Sequence, residues 1–368
     1  MNDELAHLRA SVREIDEQIV RLMARRTAVA GAIGQIKKGR GLPLRDWEVE
    51  KDVLTMADRA AREADTSPIL VRSVMQLLIA EARTEQERRS FSRTAETGES
   101  ILIIGGRGKM GQWFSDFLLN QGHRVEIFDS HADENDHGQA TPLRVHLARN
   151  SMALVATPLE TVPQIIAELT AARFTGTVFD IASLKGHLTG AIAEARQSGL
   201  SVTSIHPLFG PSARTLSDKV ICVCDCGDAP ATQRVRALFS ETAATLVDLS
   251  FEEHDSIMSY VLALSHLLNI VFAAVLTRSG FSFDTLERVG SATFHSQMVT
   301  TSTVIEENPD LYYSIQRFNL FAPELFGRLK AEVDSLTSAV LSNDRSRFVQ
   351  AMLNARCWKA GARAQGVS

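Results

Sequence analysis

Residues 101–129 read ILIIGGRGKMGQWFSDFLLNQGHRVEIFD, and no other stretch limits the fold so tightly. Ile101–Ile104 is a continuous apolar run rich in β-branched residues, the pattern of a strand buried on both faces. Gly106, Gly108 and Gly111 follow at GxGxxG spacing, and Trp113, Phe114, Phe117 and Leu118 then recur at helical spacing. A second apolar strand, Val125–Phe128, ends on Asp129. Glycines so placed let backbone approach a pyrophosphate, and the helix N-terminus stabilises its charge. An acid about 18 residues beyond the last glycine suits the two hydroxyls of an adenosine ribose and repels a 2′-phosphate. The stretch predicts a dinucleotide site that takes NAD rather than NADP, with Gly106, Gly108, Lys109, Met110, Gly111 and Asp129 at the cofactor.

A chain of 368 residues holds two or three such domains. Its composition, 45% hydrophobic and 23% charged, is that of a soluble globular protein. No apolar run is expected to reach the roughly 18–20 residues that span a bilayer, and MNDELAHLRAS lacks the apolar core of a signal peptide. A cytoplasmic protein with no membrane partner is the expectation. A net charge of −5 gives no general attraction to nucleic acid. Cys222, Cys224 and Cys226 alternate in KVICVCDCG, which reads as a strand with the three thiols on one side. No Cys-x-x-Cys pair or nearby histidine completes a metal site, so buried structural thiols are expected and no metal.

Residues 1–90 read as helical throughout. Leu5, Leu8, Val12, Ile15, Ile19, Leu22, Val29, Ile33 and Ile36 keep helical spacing up to the breaker Gly39-Arg40-Gly41-Leu42-Pro43. A second helix is predicted from Trp47 to Ala64, and Thr66-Ser67-Pro68 opens a third that runs to about Arg89. One helix of nearly 40 residues and two shorter ones cannot bury their apolar stripes as a compact monomer, whereas pairing with a second copy would. Arg26 and Lys37 share a face of the long helix about 16 Å apart, close enough for two long side chains to converge on one small anion. Arg9 lies about 25 Å from Arg26 on another face, so it reaches the same ligand only across a pair of chains. Asp46 and Glu50, at i and i+4, are expected to point the same way.

LRASVREIDEQIVRLMARRTAVAGAIGQIKKGRGLPLRDWEVEKD resembles the all-helical chorismate mutase family, an intertwined dimer of three-helix chains. The resemblance implies that Arg9 of the partner chain, Arg26 and Lys37 hold the substrate's carboxylates and breaking ether oxygen. It implies that Glu50, with Asp46, meets the ring hydroxyl, and that Gln86 also meets the ether oxygen. Those residue types suit a pericyclic rearrangement, which needs a compact conformer and cations where charge develops on oxygen, but no acid, base or nucleophile. Two positions depart from the family: Val49 stands where an arginine is common and Ala82 where a serine is, so that end of the pocket grips a carboxylate differently.

Residues 91–100 are small and polar and form a linker; HADENDHGQATP, with His131 and His137, reads as an exposed loop without metal spacing. Apolar strands then alternate with helices: Ala153–Ala156, Thr177–Asp180, Ser201–Ile205 and Val220–Val223. That order predicts a doubly wound sheet with ligands past the strand carboxyl ends. FDIASLKG, with Ser183 and Lys185, and SIHPLFGPSA, with His206, are two such ends.

These segments, with GGRGKMG and Glu253-His254-Asp255, resemble the prephenate dehydrogenase family over residues 101–368. The resemblance implies that His206 accepts the proton of a ring hydroxyl as hydride leaves the same carbon for NAD, and ring decarboxylation follows. A histidine suits that task because its pKa lies near working pH. Ser183 would bond the same hydroxyl, and His266 stands at a family position near the substrate, while His254 is expected to tie the start of its helix. EHDSIMSYVLALSHLLNIVFAAVL is apolar on nearly all sides and is therefore expected to be buried, at a dimer interface. The family's carboxylate-binding arginine falls at Phe321, in a helix expected over 310–326, and Arg317, one turn earlier, is the candidate substitute.

The fold expected is an all-α three-helix domain (1–90), a linker (91–100), an α/β Rossmann-type doubly wound NAD-binding domain (101–250), and an α-helical substrate and dimerisation domain (251–368). The activity implied is conversion of chorismate to prephenate, then NAD-dependent oxidation of prephenate to 4-hydroxyphenylpyruvate in tyrosine biosynthesis, by a homodimer acting on small molecules. The departures at Val49, Ala82 and Phe321 motivate a second reading, the same two steps on 4-amino-4-deoxy analogues towards 4-aminophenylalanine. A non-catalytic sensor of tyrosine or NAD is the third, and the intact glycine turn, His206 and Ser183 speak against it.

Overall fold

The computed structural model describes residues 2–40, 46–90, 98–129, 142–240 and 242–361, without the side chains of 2, 3, 38, 39, 47 and 87–90. Most of the Gly39–Pro43 breaker, residues 91–97 of the linker and the loop with His131 and His137 lie outside them. Residues up to Phe251 form one compact unit, and Glu252 onward a second.

The first unit opens with three helices, α1 (Asn2–Gly39), α2 (Trp47–Glu63) and α3 (Pro68–Ser90). Asp46 is the N-cap of α2: its backbone is extended and its carboxylate accepts from Val49 N at 3.2 Å. Asp46 thus stands just before the helix that carries Glu50 and caps it, satisfying an N–H that the helix leaves open. Within one chain the apolar face of α1 is uncovered: Leu8 is 57% exposed, Ile15 54% and Leu22 63%.

The sheet follows, built from β1 (Ser100–Ile104), α4 (Lys109–Asn120), β2 (Arg124–Phe128), α5 (Leu143–Leu147), β3 (Met152–Val155), α6 (Val162–Ala171) and β4 (Thr177–Asp180). It continues through α7 (Thr189–Gln197), β5 (Ser201–Pro207), β6 (Val220–Cys224), α8 (Ala229–Ala237) and β7 (Thr245–Leu249). The strand order is β2-β1-β3-β4-β5-β6-β7. Every pairing is parallel except β5 with β6. The run Ile101–Ile104 is buried on both faces, as a central parallel strand must be. Two details differ from expectation. His206 lies inside β5, paired across the antiparallel step with Cys222, and Cys226 falls beyond the end of β6 although its thiol is buried.

The second unit is helical: α9 (Phe251–Met258, from the last residue of the first unit), six residues of π-helix (Ser259–Leu264) and α10 (Ser265–Thr277) run on continuously. Helices α11 (Phe283–Arg288), α12 (Ala292–Ile305), α13 (Pro309–Phe318), α14 (Ala322–Leu341) and α15 (Arg345–Lys359) complete it. The expectation that no apolar run is long enough to span a bilayer is corrected here. Phe251–Thr277 is long and apolar enough to cross a membrane by length and composition alone. Within one chain only 11% of its most apolar window is buried. Several of its buried polar groups bond inside the protein. His254 Nδ1 lies 2.7 Å from Asp255, and Asn269 Oδ1 accepts from Gln297 and Thr301 of α12, both at 2.8 Å.

Candidate active sites

The first site is a cavity of about 620 Å³ among α1, α2 and α3. Its wall includes Arg26, Lys37, Asp46, Glu50 and Gln86, five of the six residues that the sequence assigns to the mutase step, and the structure brings them together within one chain. Close approach of α3 to α1 depends on Gly34, where a Cβ would stand 2.7 Å from Gln86 Cγ. Gln86 Nε2 donates to Ala30 O on α1 at 2.9 Å, which leaves its second N–H for a ligand. Arg26 Nη1 donates to Leu78 O on α3 at 2.6 Å, and burial lowers its pKa. Arg9, on an exposed stretch of α1, is not in this wall. Val49 and Ala82, the two departures, both line it and bring no charge. Sequence reasoning missed Arg83, which also lines the cavity. The signal was its place three residues before Gln86, which puts both on one face of α3.

The second site begins at the turn after β1. Gly105 takes φ +84°, a left-handed conformation, and its N–H donates to Phe128 O at 2.9 Å. The GxGxxG reading began one residue later and passed over it, though the doublet Gly105-Gly106 was the signal. A Cβ on Gly111 would stand 2.3 Å from Gly105 O, so only glycine lets α4 start hard against the turn. Gly108 is the N-cap of α4 and has no side chain with which to cap it. Asp129 Oδ2 accepts from Arg107 N at 3.2 Å, which holds the carboxylate over the turn. The strand order reverses at β1, the switch point where open sheets of this kind bind ligands. The helix start at Gly108, the glycine cradle and the acid over the turn fit a dinucleotide.

Along the same edge, β4 and β5 run parallel with Asp180 opposite Ser204. Ser183, half-buried, and His206, 4% exposed, therefore stand near the carboxyl ends of neighbouring strands. Lys185 is turned wholly inward: Nζ donates to Asp180 at 3.0 Å and to Ile205 O at 2.8 Å, tying the loop after β4 to the residue before His206. Trp113 on α4 donates from Nε1 to Ala213 O at 2.7 Å and packs its ring 4.9 Å from Phe209, so the loop after His206 is fixed to the helix of the glycine turn.

His266 and Arg317 belong to the second unit. His266 Nδ1 is buried without a hydrogen-bond partner, its ring lies 4.3 Å from Tyr312, and burial lowers its pKa. The single helix expected over 310–326 is corrected to two. Asn319 leaves the helical region with its side chain buried, accepts from Phe321 N at 2.9 Å and donates to Asp255 O at 3.3 Å. Phe321 then starts α14 as its N-cap, so Arg317, exposed at the end of α13, is not one turn away on a shared face.

Three family models match the chain: chorismate mutase type II over residues 8–87, the prephenate dehydrogenase nucleotide-binding domain over 119–248, and the prephenate dehydrogenase dimerization domain over 250–354. The second match begins after the glycine turn, whose assignment rests on its own geometry. A T-protein of Enterobacter agglomerans is 24% identical over 96% of this chain and 93% of its own, and one of Haemophilus influenzae is 24% identical over 97% and 92%. Among solved structures, prephenate dehydrogenase from A. aeolicus, in complex with hydroxyphenyl propionate and NAD+, shares the fold with a TM-score of 0.59 at 16% identity. It covers 73% of this chain and 100% of that one. The chain belongs to the chorismate mutase type II and prephenate dehydrogenase families, joined in one polypeptide.

Proposed function

We infer that this protein is a bifunctional enzyme of tyrosine biosynthesis that rearranges chorismate to prephenate and oxidises prephenate with NAD, the ring carboxylate leaving as CO2, to 4-hydroxyphenylpyruvate. The observation that carries the first step is the gathering of Arg26, Lys37, Asp46, Glu50 and Gln86 around one cavity. Arg26 and Lys37 hold the carboxylates and the breaking ether oxygen, where positive charge lowers the barrier because charge builds there in the transition state. Glu50, with Asp46, orients the ring hydroxyl, and the remaining N–H of Gln86 meets the ether oxygen. Arg9 reaches this cavity from a second copy.

For the second step, His206 takes the proton of the ring hydroxyl, and Ser183 bonds that hydroxyl and holds it towards the imidazole. The nicotinamide, when bound, accepts the hydride. The backbone at Gly106, Gly108, Lys109, Met110 and Gly111 cradles the pyrophosphate, and Asp129 takes the adenosine ribose. His266, its pKa lowered by burial, binds the substrate.

We propose a homodimer, supported by the uncovered apolar faces of α1 and of Phe251–Thr277 and by the match to a dimerization domain. We propose that it acts in the cytoplasm, where NAD is available to it.

The test is turnover of chorismate and its 4-amino-4-deoxy analogue side by side, with NAD, followed at the reduced-nicotinamide band. Absorbance from chorismate with an inert amino analogue is the expected result. Turnover of the amino compound alone would transfer both steps to that substrate, and a tyrosine-dependent rise in Tm without turnover of either would make the protein a sensor.

A further inference from the structure

The mutase cavity is not closed off within its own three helices. Arg83 of α3 lines it with a side chain only 13% exposed, and its guanidinium reaches two carboxylates on different elements. One is Glu50 of α2, Nη1 to Oε1 at 3.5 Å. The other is Asp218, between β5 and β6 of the sheet domain: Nη1 donates to its Oδ1 at 3.1 Å, and Nη2 pairs with its Oδ2. Asp218 is itself held in place. It adopts φ +62°, it follows Leu216, which is 2% exposed and packs in the core of the sheet domain, and Ser217 N donates to Thr215 at 3.1 Å. A planar fork gripped by a carboxylate through both Nη atoms has a fixed orientation, unlike the swinging head of an exposed arginine.

One donor on that fork is left over: Arg83 Nε is buried without a hydrogen-bond partner. A buried donor without an acceptor is costly, and an oxygen of an anionic ligand in the cavity would complete it. The rest of the wall points the same way. Among the cavity's other cations, Arg26 already spends one Nη on Leu78 O, and Arg25 is exposed.

We propose that Arg83 binds a carboxylate of the mutase substrate and that Asp218, from the nucleotide-binding domain, is its positioning residue. The proposal rests on the mutase reading given above. It makes the mutase cavity depend on a residue of the domain that carries the other chemistry.

The test uses the full chain with Arg83→Met, Arg83→Lys, Asp218→Asn and the double variant Arg83→Met/Asp218→Asn, assayed separately for chorismate consumption and for oxidation of supplied prephenate. Arg83→Met is expected to raise the mutase KM about tenfold or more, with prephenate oxidation and Tm close to wild type. Arg83→Lys restores little, because an ammonium cannot reproduce the fork. Asp218→Asn raises the same KM by a smaller factor with kcat nearly unchanged, and the double variant is no worse than Arg83→Met alone, the non-additivity of two residues acting as one unit. A bridge that only joins the domains would lower Tm and leave the mutase KM alone. An unchanged KM in Arg83→Met overturns the proposal, and an impaired Arg83→Met beside an unaffected Asp218→Asn overturns its positioning half. If the wild type leaves chorismate untouched, the mutase reading itself fails, an outcome seen before any variant is measured. Should Arg83→Met fail to fold, Arg83→Lys and Asp218→Asn carry the same KM test.

Discussion

Gly111 shows how little room the cofactor turn has. Its Cα sits so close to Gly105 O that a methyl group would enter the space of that backbone oxygen, which no side-chain rotation relieves. Gly111→Ala is therefore expected to weaken NAD binding by about tenfold or more, read by titrating the coenzyme, while chorismate consumption stays unchanged. A dissociation constant within about twofold of wild type would contradict the close-packed turn. At this scale the sequence was legible where spacing alone sets the geometry, as in the close approach at Gly111 and the placing of Asp129 over the turn. It was silent where position depends on packing from elsewhere in the chain. Lys185 reads as a polar residue at a strand end, yet its ammonium is drawn fully inside by Asp180 and Ile205 O. Asp218 carries no motif at all, and only the fold shows that it faces Arg83.

Helices were legible as elements because apolar spacing and breakers mark them: α1, α2 and α3 end within a residue or two of where Gly39, Ala64 and Arg89 put them. Their partners were less so. Apolar residues all round Phe251–Thr277 predict burial, but they do not say whether the cover comes from the same chain, and within one chain most of it is bare. The helix expected over 310–326 fails for a local reason: Asn319 trades helical hydrogen bonds for bonds to Phe321 N and Asp255 O, a tertiary contact that periodicity does not carry. The uncovered stripe of α1 leads to a prediction of its own. Ile15, 54% exposed in the single chain, is on the face that the proposed homodimer would cover. Ile15→Glu buries an unpaired carboxylate there and is expected to weaken association of the N-terminal helices by about 2–4 kcal/mol. If the partner supplies Arg9, as proposed, chorismate consumption should fall with it and oxidation of supplied prephenate should persist. Sedimentation and paired assays check this, and an unimpaired mutase would count against the shared cavity.

In the whole molecule, two kinds of catalysis rest on two kinds of architecture. The rearrangement needs fixed charges around a small space, which three helices supply with long side chains from facing surfaces. The oxidation needs a cofactor cradle beside a base, which a parallel sheet supplies because its strand ends converge on one edge. Neither set of residues overlaps the other, although the mutase cavity, the glycine turn and His206 all lie in the first compact unit, where Arg83 with Asp218 joins the helices to the sheet domain. That separation is the central claim, and one experiment tests it most directly. Wild type, His206→Asn and Arg26→Ala are each given chorismate and NAD, with chorismate loss and reduced nicotinamide followed together, and then prephenate with NAD. The account predicts that His206→Asn consumes chorismate and accumulates prephenate without reducing NAD, while Arg26→Ala leaves chorismate untouched but oxidises supplied prephenate. Loss of both activities in either variant, or reduction of NAD from chorismate by Arg26→Ala, would contradict it.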